Sequence, residues 1–130
     1  MQQLTRILLD KRGSKTFKIL FCTYVPLLFT VTLLPGNIIA KETDGIFKFF
    51  KFGNADKVVH FVLFFTFAFL LFLSAYTRKN SLIWIIPVAT GVLIEIIQQL
   101  MGMGRTFDLL DITANTIGAV LAYFVIVKKL

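Results

Sequence analysis

The sequence predicts an all-α membrane protein, a bundle of four transmembrane helices with both termini in the cytoplasm. Three observations predict it. Four apolar stretches each approach bilayer-crossing length, and the charged residues collect in the gaps between them. The third is composition: 57% of the 130 residues are apolar and mean hydropathy is +0.81, which leaves too little polar surface for a soluble domain of this size. The length fits one domain over 1–130.

A helix rises about 1.5 Å per residue and the hydrocarbon layer is about 30 Å thick, so a span needs roughly 20 apolar residues. The expected spans are 17–34, 58–76, 82–100 and 109–127. The second is nearly unbroken Phe, Leu and Val. The third contains Pro87, Gly91 and Glu95 yet stays apolar enough to insert, because neighbouring helices can satisfy the backbone group that Pro87 frees. The first span follows a long basic segment and precedes no small-x-small cleavage site, so it reads as an uncleaved anchor.

Charge sets the expected orientation. Cytoplasmic loops carry the excess of Lys and Arg. Arg6, Lys11, Arg12, Lys15, Lys18, Arg78, Lys79, Lys128 and Lys129 put nine basic residues on one side; Lys41, Lys48, Lys51, Lys57 and Arg105 put five on the other. The net charge of +7 therefore reads as topology and headgroup contact, not as a nucleic-acid platform. No nucleic-acid partner is expected; the lipid bilayer is. The short second loop makes spans two and three an antiparallel hairpin. In the first outer loop, 35–57, Asp44, Lys48 and Lys51 recur at helical spacing among Ile46, Phe47, Phe49 and Phe50. That pattern predicts a short helix lying in the outer interface and ending at Gly53-Asn54. Leu4, Ile7 and Leu8 beside Arg6 and Lys11 predict a similar segment on the cytoplasmic surface. The single cysteine, Cys22, rules out an internal disulfide and a cysteine metal cluster.

In this orientation the polar residues fall at one depth. Asp56, Lys57 and His60 open the second span. Glu95, Gln98 and Gln99 close the third. Arg105, Asp108 and Asp111 lie between spans three and four, and Asn115 sits one turn into the fourth. Spacings of three and four place Asp56 with His60, Glu95 with Gln98 and Gln99, and Asp108 with Asp111 and Asn115 on shared helix faces. Ala114, Gly118 and Ala122 form a small-x-x-x-small series that admits a close neighbouring helix. A charge within a span is costly unless it pairs or reaches water. Glu95 is therefore expected to seek a donor among Arg105, Lys57 and His60. Arg105 has the fork geometry to hold two carboxylates.

These residues carry a resemblance. Asp56-Lys57-Val58-Val59-His60-Phe61, then Glu95-Ile96-Ile97-Gln98, Arg105, and Asp108-Leu109-Leu110-Asp111-Ile112-Thr113-Ala114-Asn115-Thr116-Ile117-Gly118-Ala119, resemble in order and spacing the three motifs of the VanZ-like membrane protein family. The likeness runs from about residue 20 to 127, with the signature inside 56–119. It implies a multi-pass protein of the bacterial cytoplasmic membrane. The family's namesake is associated with low-level resistance to the glycopeptide teicoplanin.

Four kinds of function remain open on the residues. The first is a polar site at the outer leaflet, formed by Asp56, Lys57, His60, Glu95, Gln98, Arg105, Asp108, Asp111 and Asn115. It would bind or modify an amphiphilic envelope molecule such as a lipid-linked wall precursor or a lipoglycopeptide. The second is an enzyme with His60, Glu95 and Asp111 as an acid–base set. The third is a purely structural cluster in a small membrane scaffold or partner subunit. The fourth, a transporter or channel, fits poorly, because the inner halves of the spans are apolar. Metal ligation by His60, Glu95 and Asp111 is conceivable. With one histidine and no thiolate cluster, neither a metal nor another cofactor is expected. Oligomeric state is not legible.

Overall fold

A computed structural model of the chain describes residues 2–34, 55–102 and 107–129. Among the described residues five α-helices follow in order: α1 Gln2–Asp10, α2 Lys15–Leu33, α3 Ala55–Ser74, α4 Leu82–Met101 and α5 Leu109–Lys129. Four of them, over Lys15–Leu33, Asp56–Ser74, Leu82–Met101 and Leu109–Ile126, are long and apolar enough to cross a membrane. The chain is accordingly a multi-pass membrane protein. The interfacial helix expected in 35–57 falls almost wholly on residues 35–54, outside the described residues.

Local chemistry sets the helix ends. Ser14 caps α2, its side chain accepting from the Phe17 N–H at 3.4 Å. Leu34 leaves the helix in an extended conformation (φ −58°, ψ 135°), as a residue before proline must. Pro26 and Pro87 lie inside α2 and α4. Neither stops its helix, because in a membrane helix the backbone gains nothing by unwinding away from water. α4 ends on Gly102 in the left-handed region, φ +59°. Asp108 starts α5 by accepting the Leu110 N–H on Oδ1 at 2.8 Å.

α3 is the central helix and packs on α2, α4 and α5; its tightest partner is α5. The reason is Gly118. A Cβ there would collide with the Phe61 carbonyl and stand 3.1 Å from the Phe65 nitrogen. The glycine therefore lets two backbones meet directly, and Ala119 and Ala122 continue the contact fully buried. Two apolar clusters stack along the bundle. One holds Ala68, Phe72, Leu73, Ile83, Ala119, Ala122 and Ile126. The other holds Leu28, Phe64, Phe67 and Ile94. Ile19, Leu20, Leu27, Val62, Leu93, Ile117 and Phe124 stay exposed on the outer faces. Such a coat suits acyl chains and would be an aggregation hazard in water.

The end of α3 is held by the segment before α2. Arg12 Nε donates to the Phe72 carbonyl at 3.0 Å, and its guanidinium sits 4.1 Å over the Phe72 ring. The Gly13 N–H donates to the Leu73 carbonyl at 2.7 Å. The Leu73 carbonyl is thereby satisfied, and the Phe72 carbonyl, which also accepts the Ala75 N–H at 3.2 Å, gains a second donor. Gly13 takes φ +78° to do so, a conformation glycine adopts without strain.

Candidate functional site

The first turns of α3 and α5 and the last turns of α4 meet at the other end of the bundle. Acidic residues are favoured at helix N-termini, where the unpaired N–H groups lie. Asp56 in the first turn of α3 and Asp111 in that of α5 use this preference. The α3–α5 contact at Gly118 then brings the two turns face to face.

Lys57 bridges them. Its Nζ donates to Asp108 Oδ2 at 2.7 Å and lies 2.8 Å from Asp111 Oδ1. The Lys57 ammonium, with the Leu110 N–H, holds the Asp108 carboxyl below the usual aspartate range. Deeper in, His60 and Asn115 are both almost fully buried. His60 Nδ1 meets Asn115 Oδ1 at 3.0 Å. An amide oxygen only accepts, so Nδ1 carries the hydrogen and donates it. The other ring nitrogen, Nε2, points the opposite way. It faces Asp111 Oδ2 at 3.7 Å and Asp56 Oδ1 at 3.9 Å.

Glu95 is wholly buried. Its Oε2 accepts from the Asp108 backbone N–H at 3.2 Å, while Oε1 has no hydrogen-bond partner among the described residues. Asn115 Nδ2 is also unpartnered and buried. Gly91 makes room for it: a Cβ at 91 would lie 3.0 Å from Nδ2 and 3.2 Å from Phe64. Unsatisfied polar groups in a low-dielectric interior cost about 1–3 kcal/mol each. Such groups in one cluster mark a place that helix packing alone does not explain.

The residues expected to share one depth are thus placed as follows. Lys57, Asp108 and Asp111 are linked directly, and His60, Asp56 and Asn115 join them at Asp111 and His60. Glu95 touches the set through the Asp108 backbone. Gln98 turns away: its Nε2 donates to the Thr32 carbonyl at 2.6 Å and ties α4 to α2. Arg105 lies outside the described residues. Among the described residues, the donor to Glu95 is a main-chain N–H: Lys57 satisfies two aspartates and the His60 ring faces Asp56 and Asp111, while Arg105, the third expected donor, lies outside them. Sequence reasoning also passed over Gly91 as a site residue and over Gln99 as a clasp. Gln99 Oε1 accepts from the Phe107 N–H at 2.8 Å and closes the α4–α5 turn. A glycine one turn before a buried glutamate was the available signal for Gly91.

Chemically, the arrangement offers a fixed imidazole lone pair, two aspartates facing it, one ammonium, and a buried carboxyl with a free oxygen. It can hold a cation, or present acid–base groups to a polar headgroup. Among models of known families, the one described as VanZ/LLP1 matches residues 8–129. No curated protein matches the chain, and no solved structure does.

Proposed function

The chain belongs to the VanZ/LLP1 family, and from that premise we propose that its polar cluster receives the charged headgroup of an amphiphilic envelope molecule at the outer leaflet of a bacterial cytoplasmic membrane. Both termini then lie in the cytoplasm, as the nine-to-five distribution of basic residues requires. The whole of 1–130 acts as one transmembrane domain.

One observation carries this reading. Among the described residues, the buried carboxyl of Glu95 keeps an oxygen without a hydrogen-bond partner, as does the buried side-chain nitrogen of Asn115. A cluster built only to lock helices would satisfy its deepest members first. Lipid-linked wall precursors and lipid-tailed glycopeptides both place polar heads at this depth over apolar tails. The lipid-facing coat of α3 and α4 suits such tails. On this reading Asp56, Lys57, His60, Glu95, Gln98, Arg105, Asp108, Asp111 and Asn115 line or support the site. His60, Glu95 and Asp111 are its proton-handling groups if the bound molecule is also modified. Reduced sensitivity to teicoplanin is the corresponding cellular trait.

A packing role has its own support in Lys57, which neutralises two aspartates from another helix. The two readings separate in one panel. His60→Ala, Glu95→Gln, Arg105→Lys and Asp111→Asn are each measured for membrane level and for teicoplanin susceptibility. Normal protein levels with heightened susceptibility support headgroup recognition. Parallel loss of protein in all four leaves only the packing role.

A further inference from the structure

We propose that Asp56, His60 and Asp111 form a binding site for one divalent transition-metal cation, with Zn2+ as the reference ion. The proposal rests on the geometry of these three side chains and is independent of the headgroup reading. It departs from the sequence expectation that no metal binds, which weighed His60 with Glu95 and Asp111 and left Asp56 aside.

The argument starts from distance. One ligand atom from each of the three residues lies within 4.8 Å of the other two. Two ligands on a tetrahedral ion with bonds of about 2.0 Å stand about 3.3 Å apart. His60 Nε2 is 3.7 Å from Asp111 Oδ2 and 3.9 Å from Asp56 Oδ1. Those gaps are too long for hydrogen bonds. Shifts of about half an ångström would close the two gaps at His60 to coordination distance, and the two carboxylate oxygens, within 4.8 Å of each other, would draw together around the ion.

Direction adds to distance. The Asn115 oxygen holds the hydrogen on Nδ1, so Nε2 presents its lone pair to the two carboxylates. A metal-bound imidazole nearly always has its other nitrogen engaged in this way. Lys57 takes Asp111 Oδ1 and so turns Oδ2 toward His60. His60 is 2% exposed, whereas the Asp56 side chain is 48% exposed. The inner ligands are thus preformed, and the outer one lies on the route by which an ion arrives.

Ligand chemistry selects the class of ion. Imidazole suits Zn2+ and its first-row neighbours, while Mg2+ and Ca2+ take oxygen ligands. Three protein ligands leave at least one coordination position open, as in metal sites that act on a bound molecule.

The test uses the full chain, purified in detergent on a tag without histidine and stripped with chelator. Equilibrium dialysis against Zn2+ is expected to leave about one ion per chain, with Mg2+ failing to displace it. His60 is the only histidine, so a Zn2+-dependent shift of an imidazole nitrogen resonance reports on it alone. Asp56→Asn is exposed enough to fold normally. It is expected to weaken Zn2+ binding at least about tenfold, by analogy with losses in metal-site shells. His60→Gln is expected to abolish it. If the folded wild-type protein retains no Zn2+, the proposal fails. It also fails if Asp56→Asn binds as tightly as wild type, or if the imidazole signal does not move. A protein that binds no metal yet keeps its susceptibility phenotype would overturn this proposal and leave the headgroup reading standing.

Discussion

Lys57 carries more of the local electrostatics than any other described residue in the cluster. One ammonium serves two carboxylates from α5, one of them buried. Replacing it with methionine keeps the apolar stem and removes the charge. Asp108 and Asp111 would then repel each other, and Asp111 would lose the partner of a buried oxygen. Lys57→Met is therefore expected to lower stability in detergent by about 1–3 kcal/mol, read as a drop in Tm. The partnership was not legible beforehand. Lys57, His60 and Arg105 were equivalent as donors for Glu95, and spacing along one helix says nothing about which neighbour a flexible ammonium reaches. What was legible was the gathering itself. Asp56 with His60, and Asp108 with Asp111 and Asn115, share faces by helical arithmetic, and burial costs turn such faces inward. The Arg12 and Gly13 contacts to the end of α3 had no such warning. They join a turn to a helix some sixty residues later, and nothing periodic announces them.

At the scale of elements, the α3–α5 pair decides the geometry. Gly118 permits backbone contact with Phe61, and the neighbouring turns inherit their register from it. Gly118→Val would put two methyl groups where a carbonyl already sits. The expected outcome is a loss of about 1–3 kcal/mol, with the helices forced apart and the Lys57 bridge stretched. A Tm measurement with a double-mutant cycle against Lys57→Met checks it: the two losses should be strongly non-additive. The stretch 109–127 was readable as a helix with a close-packing face because Ala114, Gly118 and Ala122 recur every four residues. Which helix would occupy that face was not readable. The hairpin of α3 and α4 is present, but α3 packs most tightly on α5, because small residues, more than loop length, set how near two helices come.

For the molecule as a whole, the four long helices were the most legible feature. Each apolar stretch is explained by the solvent it meets, so no partner needs to be known. Orientation rests on the same kind of argument and can be tested directly. In a Cys22→Ala background, Phe107→Cys is expected to react with a membrane-impermeant thiol reagent in intact spheroplasts. Gln3→Cys is expected to react only after permeabilisation. The opposite pattern would place the polar cluster in the cytoplasm and remove the headgroup reading with it.

The Gly118 contact also bears on how the chain is made. Lys57 and His60 leave the ribosome about fifty residues before Asp111 and Asn115, so a nascent chain that has delivered α3 still lacks their counterparts. Until α5 slides in along the glycine, a lysine and a histidine must wait near the translocon or the headgroups, where water can still reach them. The helix synthesised after its partners is thus the keystone, and a chain cut short before it would carry its polar residues into the membrane with nothing to hold them.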